Sequence, residues 1–518
     1  MKILLPCITC ALLTPLSAAV SLAPLFADGA VLQREKPVPV WGTADAGEKI
    51  SVAFADQKLS TTADSKGLWR VNLAALPASA TPRELVVKGT NTLTVRDVVV
   101  GEVWLASGQS NMEWLLAYCT DAKKDIAAAN FPLVRQFKVA KQPSLTPLAT
   151  VDGAWAPALP ATAGQFSGVA YYFAVDLHRR LNVPVGILNS SWGGTGIEPW
   201  ISPDAHRAAP DLAKTFAKQE TGKHPTPEEV TSFNAIRTAW RKSRDDAKAA
   251  KQPFTEPEPN APAGFPSYRT AAALHNGMIH PLVPYALRGA IWYQGESSTS
   301  ISAVYQGRMA ALISGWRKAF DQGDFPFYWV QLPNLDVGGL NATNWSWAEM
   351  REAQAKALSV SNTGLAVTID VGENKGLHPK NKKPVGERLA LLALARTYGI
   401  KDVVDSGPVF AAAKRDGDAY RITYAPATSA LKAADAGLAG FELAGSDQVF
   451  QPAEARIDGA MVVVTCAGIK NPVAVRYAYR NAPVAGLYNA AGLPAAPFRT
   501  DTWPAPKQAK PAPAVPES

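Results

Sequence analysis

The chain has 518 residues, 47% of them hydrophobic and 19% charged, which is typical of a globular protein with more than one domain. The formal net charge is +8, but lysine and arginine are scattered along the chain, so nucleic-acid binding is not favoured. No cysteine or histidine spacing typical of zinc and no phosphate-binding loop occurs, and we therefore predict neither a metal nor a cofactor.

The N-terminus has the pattern of a secretory signal. Met1-Lys2 is followed by an almost wholly apolar run up to Leu16 and by the small residues Ser17-Ala18-Ala19. The apolar run is too short to span a bilayer, so we predict a signal peptide over 1–19, with an uncleaved anchor as the alternative. The expectation is a secreted or periplasmic protein with no integral membrane segment after cleavage.

Residues 20–100 form a predicted N-terminal β domain. Short β-type runs are separated by turn residues such as Asp64-Ser65-Lys66-Gly67, a spacing that predicts a β-sandwich-like domain. The runs are Val38–Trp41, Ile50–Phe54, Trp69–Leu73, Leu85–Val87 and Leu93–Val95.

Residues 101–402 alternate between strand and helix patterns. Apolar runs at 183–188 and 287–292 read as buried strands, and the apolar residues between Tyr305 and Phe320 share one helix face. This alternation predicts an α/β domain with a mostly parallel sheet covered on both faces. Ligands bind beyond the carboxyl ends of the strands in such a sheet.

Three further segments flank or interrupt this domain. Residues 203–268 are polar and helix-prone and then proline-rich, which indicates an insertion in the α/β domain. Residues 403–503 return to β-type runs and predict a C-terminal β-sandwich-like domain. The Pro/Ala/Lys-rich tail at 504–518 is predicted to be disordered.

Four polar motifs follow apolar runs of the α/β domain. They are Gly108-Gln109-Ser110-Asn111-Met112, Ser191-Trp192-Gly193-Gly194-Thr195-Gly196, Trp292-Tyr293-Gln294-Gly295-Glu296-Ser297 and Leu377-His378-Pro379-Lys380-Asn381-Lys382. A serine nucleophile needs a base for its proton and donors for the oxyanion that its attack creates. Taken singly, Ser110 reads as a helix N-cap and His378 as a surface loop residue, whereas their joint occurrence favours catalysis.

In this order, the four motifs resemble the SGNH hydrolase superfamily and, within it, the sialate O-acetylesterase family. The resemblance covers nearly the whole mature chain and is weakest in the insertion. It implies an SGNH-hydrolase-like three-layer domain between two β-sandwich-like domains. It also implies a carbohydrate O-acetylesterase that acts, without a metal, on an acetylated carbohydrate through an acetyl-serine intermediate.

The resemblance carries over to individual residues. Ser110 matches the nucleophile and His378 the general base, while the N–H groups of Ser110 and Gly194 (or Gly193) match oxyanion donors. Gln294 matches the third donor. The superfamily commonly has an aspartate three residues before the histidine, where this chain has Lys375. The third catalytic member therefore stays open between Glu296, Glu373, Asp370 and no carboxylate, with Glu296 or a Ser–His dyad favoured.

The substrate also stays open at this stage. Trp114, Trp192 and Tyr293 adjoin the motifs and are candidates for stacking on a sugar. Sialate O-acetyl groups are the leading substrate, and acetylated xylan or another hemicellulose is the alternative. A sialate carboxylate needs a cationic partner, and the candidates are Arg308, Lys380, Lys382 and Arg499. A lipase is a weaker alternative, and a carbohydrate-binding protein with a degenerate hydrolase core is the non-enzymatic one.

Overall fold

The computed structural model describes residues 19–337, 345–425 and 430–504. The predicted signal peptide up to residue 18 and the predicted tail from residue 505 lie outside these ranges. Within the described ranges, no helix has the length and apolarity needed to cross a membrane.

The N-terminal part is composed of strands β1–β8. β1, β3 and β6 form an antiparallel sheet, and β8 pairs with β2 and β7 over its first half. The predicted boundary at residue 100 falls inside β8, because the same strand continues into the central sheet. The strands are β1 (Ser21–Leu22), β2 (Val31–Gln33), β3 (Val38–Thr43), β4 (Lys49–Phe54), β5 (Gln57–Thr62), β6 (Leu68–Leu73), β7 (Ser79–Lys88) and β8 (Thr92–Gly108).

The central sheet has the strand order β10-β9-β11-β8-β12-β13-β14. All neighbours on this path are parallel except β10, which is antiparallel to β9. The mostly parallel sheet predicted from the alternation of strands and helices is thus present. The strands are β9 (Phe131–Val139), β10 (Gly153–Ala158), β11 (Val185–Ser191), β12 (Gly289–Tyr293), β13 (Phe327–Val330) and β14 (Thr363–Ala366).

Helices connect these strands, and three of them belong to the insertion. The polar segment after residue 203 forms α4, α5 and α6, and the proline-rich segment that follows α6 is irregular. The helices are α1 (Ser110–Glu113), α2 (Ala122–Ala127), α3 (Gly168–Leu181), α4 (Pro203–Ala208), α5 (Pro210–Glu220), α6 (Pro227–Ala249), α7 (Ser302–Phe320), α8 (Ser346–Lys356) and α9 (Lys383–Leu392).

The apolar runs of the central strands supply two cores at once. Successive side chains of a strand point to opposite faces, so Trp292 packs in the core that contains α7, and Tyr293 packs in the core that contains α3 and α9. Strands buried on both faces are usually apolar along their length, as β12 is.

The C-terminal part contains two antiparallel four-stranded sheets that share a third core. Their orders are β15-β16-β21-β20 and β19-β18-β22-β24, and β17 pairs with β23. The strands are β15 (Val409–Asp416), β16 (Ala419–Ala425), β17 (Leu431–Ala433), β18 (Phe441–Ala444), β19 (Phe450–Pro452), β20 (Glu454–Asp458), β21 (Met461–Thr465), β22 (Ala474–Tyr477), β23 (Leu487–Asn489) and β24 (Phe498–Arg499).

The register of the central sheet brings three of the four motifs together. Gly108 at the end of β8 is opposite Ser191 at the end of β11 and Tyr293 at the end of β12. Because the three strands are parallel, their polar continuations leave the sheet at the same edge.

Candidate active site

Ser110 is presented by a tight turn between β8 and α1. Gly108 has φ +134°, and a Cβ atom there would lie 2.1 Å from the carbonyl oxygen of Tyr293, so only glycine fits. The N–H of Gln109 donates to that carbonyl at 2.9 Å. The turn therefore holds Ser110 at the edge where the strands end.

His378 lies in the loop between β14 and α9 and reaches Ser110. Its Nε2 is 2.8 Å from the Ser110 Oγ, and its ring stacks on Trp114 with a centroid distance of 5.1 Å and an interplanar angle of 20°. Burial and the charge of Lys382 lower the pKa of His378. The imidazole is therefore neutral near pH 7 and able to accept the serine proton.

Asn111 joins the nucleophile turn to the histidine loop. Its Oδ1 accepts from the Nζ of the buried Lys382, and its Nδ2 donates to Glu296 and, at 3.1 Å, to the carbonyl oxygen of Leu377. Leu377 directly precedes His378. This buried amide, next in sequence to Ser110, thus ties the position of the histidine to that of the serine.

Glu296 does not contact His378. One oxygen of its carboxylate accepts from Asn111, and the other has no hydrogen-bond partner among the described residues. Burial raises the pKa of Glu296, and the Asn111 hydrogen bond offsets this only in part. The predicted third member, Glu296, is therefore connected to the histidine loop only through Asn111 and the carbonyl of Leu377.

The other two carboxylate candidates also have partners elsewhere. Asp370 forms a bidentate ion pair with Arg388, and Glu373 accepts from the N–H of Lys380 at 2.7 Å. Across the described ranges, no carboxylate lies within hydrogen-bonding distance of His378. The structure brings together a serine and a histidine, and the imidazole stacks on an aromatic ring but has no carboxylate partner in the part of the chain that the structure describes.

The loop after β11 packs against Ser110. The N–H of Gly193 donates to the Glu113 carboxylate at 2.7 Å and is therefore occupied. Gly194 has φ +74°, and its N–H, like that of Ser110, has no acceptor among the described residues. Of the two glycines considered as oxyanion donors, Gly194 is thus the one whose N–H is not engaged by a described residue.

Gln294 faces the protein interior. It is fully buried, and its Nε2 lies within 3.2 Å of Gln109 Oε1, Thr195 O and Ser298 Oγ. The hydroxyl of Tyr305 donates to its Oε1 at 2.7 Å. Because a primary amide has two hydrogens, these contacts use the donors that an oxyanion would need.

The three aromatic candidates differ in exposure. The half-buried Trp192 stacks on Tyr268 with a centroid distance of 5.7 Å, and Lys141 lies 5.5 Å above its ring while forming an ion pair with Glu113. Trp114 stacks on His378, whereas Tyr293 is 1% exposed and is covered by Lys382. Trp114 and Trp192 are therefore the two partly exposed candidates, and Tyr293 is the buried one.

Two of the four cations considered for a substrate carboxylate form ion pairs with carboxylates of the protein. Arg308 pairs with Glu198 and Asp211, and Arg499 pairs with Glu352 and Asp501. Lys382 is 1% exposed and donates to Asn111. Lys380, two residues after His378, is exposed and forms no ion pair with the described residues.

Comparison with known proteins identifies the family. The model of the family described as carbohydrate esterase, sialic acid-specific acetylesterase, matches residues 268–395. Sialate O-acetylesterase from Rattus norvegicus is 30% identical over 418 residues, which cover 73% of this chain and 74% of the relative. The chain belongs to the sialate O-acetylesterase family. The Homo sapiens sialate O-acetylesterase is 27% identical over 417 residues, which cover 73% of this chain and 71% of that protein.

A solved structure agrees with this family membership. The crystal structure of a carbohydrate acetylesterase from Xanthomonas citri is 39% identical, with a TM-score of 0.80, over 94% of this chain and 100% of that one. As a member of the sialate O-acetylesterase family, the chain is a carbohydrate esterase that removes O-acetyl groups.

Sequence reasoning missed four residues that shape this esterase site. Asn111 and Glu113 lie in or beside the serine motif, but their partners Leu377, Gly193 and Lys141 are distant in sequence. Lys141 and Tyr268 lie outside every motif, and no local pattern marks them.

Proposed function

We propose that the chain hydrolyses acetyl esters on sugars with Ser110 and His378 as a catalytic dyad, in an SGNH-hydrolase-like three-layer domain. The observation that carries this proposal is the 2.8 Å contact between Ser110 Oγ and His378 Nε2. The unpartnered N–H groups of Ser110 and Gly194 support it, because they are oxyanion donors on the loops that meet there.

The reaction runs through two cycles of proton uptake and release at His378, one for each half of the reaction. Nε2 takes the proton of Ser110 as its Oγ attacks the acetyl carbonyl carbon, and the N–H groups of Ser110 and Gly194 hold the oxyanion. Nε2 then gives that proton to the leaving sugar oxygen, which leaves acetyl-Ser110. Water, deprotonated by the same nitrogen, then attacks this ester. As the second oxyanion collapses, Nε2 returns the proton to the Ser110 Oγ, which releases acetate and restores the serine.

The dyad replaces the acid with two supports. Stacking on Trp114 fixes the plane of the imidazole, and the Asn111–Leu377 hydrogen bond fixes the loop that carries it. Gln294 then serves to hold the loop that contains Thr195, and Glu296 acts on His378 only through Asn111.

We infer sialate O-acetyl groups as the leading substrate, because the curated relatives are sialate O-acetylesterases. An N-terminal signal peptide over 1–19 brings such an enzyme to secreted or periplasmic glycans. Acetylated xylan is the comparison substrate, since the structural relative from Xanthomonas citri is described only as a carbohydrate acetylesterase.

The test is acetate release from 9-O-acetylated sialic acid and from acetylated xylan, measured side by side. We expect Ser110→Ala to lower kcat by at least about 10⁴-fold, as loss of a serine nucleophile does elsewhere. Ser300→Ala, an exposed serine beyond β12, is the matched control and keeps wild-type rates. Acetate release that survives in Ser110→Ala, or no release by the wild type from either sugar or from an aryl acetate, contradicts the proposal.

A further inference from the structure

A large cleft separates the insertion from the α/β domain. Its volume is about 1310 Å³, and its walls are the segment 140–148 and the helices α5 and α6. Small-molecule sites usually measure about 300–1,000 Å³, so this cleft has room for more than one sugar residue. Ser110 is not among its lining residues, and the cleft is therefore a separate feature from the dyad.

Two cations in this cleft form no ion pair with the described residues. Arg237 and Arg241 lie one turn apart on α6 and form no ion pair with a carboxylate in the described ranges. Burial and the Arg241 charge lower the pKa of Arg237, and the charge of Glu258 offsets this only in part. Like charges four residues apart destabilise a helix, and a bound anion removes that repulsion.

Two further cations of the cleft form ion pairs with carboxylates of its walls. Arg207 pairs with Asp204 and Glu220, and Lys318 pairs with Asp204. Asp152, the remaining carboxylate of the walls, is exposed and forms no ion pair with either of the two cations. Among the lining residues, lysines and arginines outnumber carboxylates, and the two arginines without an ion pair to a described residue both lie on α6.

Neutral groups suited to a sugar lie in the same cleft. His275 is 3% exposed, lines the cleft, and has no hydrogen-bond partner for either ring nitrogen within the described residues. Burial lowers its pKa to about 3, so it is a neutral imidazole that offers one donor and one acceptor. Phe265 adds an aromatic face, with the Arg237 guanidinium 5.8 Å from its ring centroid.

The cleft adjoins the reaction site along two paths. Lys141 lines the cleft and also forms an ion pair with Glu113 in α1, the helix that begins at Ser110. Phe265 and Pro266 of the wall lead to Tyr268, whose ring stacks on Trp192. These contacts place one wall of the cleft beside the segments that surround Ser110, as a subsite for a neighbouring sugar residue requires.

We propose that this cleft is a second sugar subsite, in which Arg237 and Arg241 bind the carboxylate of an acidic residue of the acetylated glycan. The proposal rests on the proposed function at Ser110. Sialic acids and uronic acids both carry a carboxylate that two arginines can bind. The test therefore includes one substrate of each kind, to show which of the two acidic sugars the cleft binds.

The test compares R237Q/R241Q with R244Q/K248Q, a double variant with the same charge change on exposed positions of α6 outside the cleft. The substrates are O-acetylated oligosialic acid, acetylated glucuronoxylan and acetylated xylan without uronate. The preference is the ratio of kcat/KM for an acidic substrate to kcat/KM for neutral xylan. We expect this ratio to fall roughly tenfold in R237Q/R241Q for one of the acidic substrates, because a charge-assisted contact is lost. The fall should appear in KM. An unchanged preference, or an equal fall in R244Q/K248Q, overturns the proposal.

A binding measurement separates this inference from the proposed function. Unacetylated oligosialic acid and a glucuronoxylan oligosaccharide are titrated into Ser110→Ala by calorimetry, with and without R237Q/R241Q. We expect binding of one acidic glycan that weakens with added NaCl and is lost in the triple variant. Such binding supports the cleft even if the wild type releases no acetate, whereas absence of binding by both glycans overturns it.

Discussion

Two buried glutamates near opposite ends of the parallel strands have contrasting surroundings. The carboxylate of Glu102, in β8, accepts hydrogen bonds from Arg34, Arg288 and Gln33. Glu296, after β12, accepts from the neutral amide of Asn111 and has one oxygen without a partner in the described ranges. The first is fully satisfied, and the second is not.

The pKa directions follow from this difference. Burial by itself raises the pKa of both carboxyls, but for Glu102 the hydrogen bonds and charges of Arg288 and Arg34 outweigh burial and lower it. The pKa of Glu296 stays raised, because Asn111 and the charge of Lys382 compensate burial only in part. The nearby donors at Glu296 are engaged in holding the histidine loop, so the site tolerates an incompletely paired carboxyl.

The largest expected effect is on stability, at Glu102. Glu102→Gln leaves Arg34 and Arg288 without their buried carboxylate and is expected to lower the free energy of unfolding by about 3–5 kcal/mol. Urea unfolding followed by tryptophan fluorescence measures it. Glu35→Gln is the matched control, because Glu35 pairs with the same two arginines but is 56% exposed, and it is expected to cost less than about 1 kcal/mol.

The pH dependence of stability at Glu102 has a defined sign. Because its pKa is lowered on folding from 4.5, its contribution is present above that value and is lost as pH falls through the folded-state pKa. Glu102→Gln should therefore lose less stability than the wild type on acidification. Equal acid sensitivity of the two proteins would show that Glu102 is not stabilising as an ion.

A smaller effect is expected on catalysis, at Glu296. Glu296→Gln keeps an oxygen that accepts from Asn111, so kcat for an aryl acetate is expected to fall by less than about tenfold, whereas replacing a direct triad acid by its amide costs about 10⁴-fold. Asp370→Asn, which weakens an ion pair away from His378, is the comparison variant. If kcat fell by more than about a thousandfold in Glu296→Gln but not in Asp370→Asn, Glu296 would act on His378 directly.

The smallest effect is expected on the pH profile, at Lys382. Burial lowers the pKa of Lys382 to about 8, and below that pH its charge helps to keep the pKa of His378 low. Lys382→Met should raise the pKa of His378 and move the acid limb of the kcat/KM profile to higher pH. On acidification, the variant should therefore lose activity at a higher pH than the wild type. Lys380→Met, in the same loop but exposed, should leave the limb in place, and an unshifted limb in Lys382→Met would contradict the coupling.

Much of the fold follows from local pattern. The apolar run before Ser110 is β8, the face shared by Tyr305 and Phe320 is that of α7, and the polar stretch after residue 203 is helical. These elements were predictable because strand and helix periodicities are properties of neighbouring residues. The order of the four motifs likewise predicted a serine and a histidine at one edge of the sheet.

By itself, the sequence determined the elements, the motif order and the residue types available for an esterase. Only the tertiary structure decided that β8 continues from the N-terminal strands into the central sheet and that Gln294 faces inward. It also decided that Glu296 bonds to Asn111 rather than to His378, and that the insertion borders a cleft rich in cations. The physical reason is that a donor meets its acceptor across segments far apart in the chain, as Asn111 and Leu377 do, and their distance is set by the packing of the whole domain.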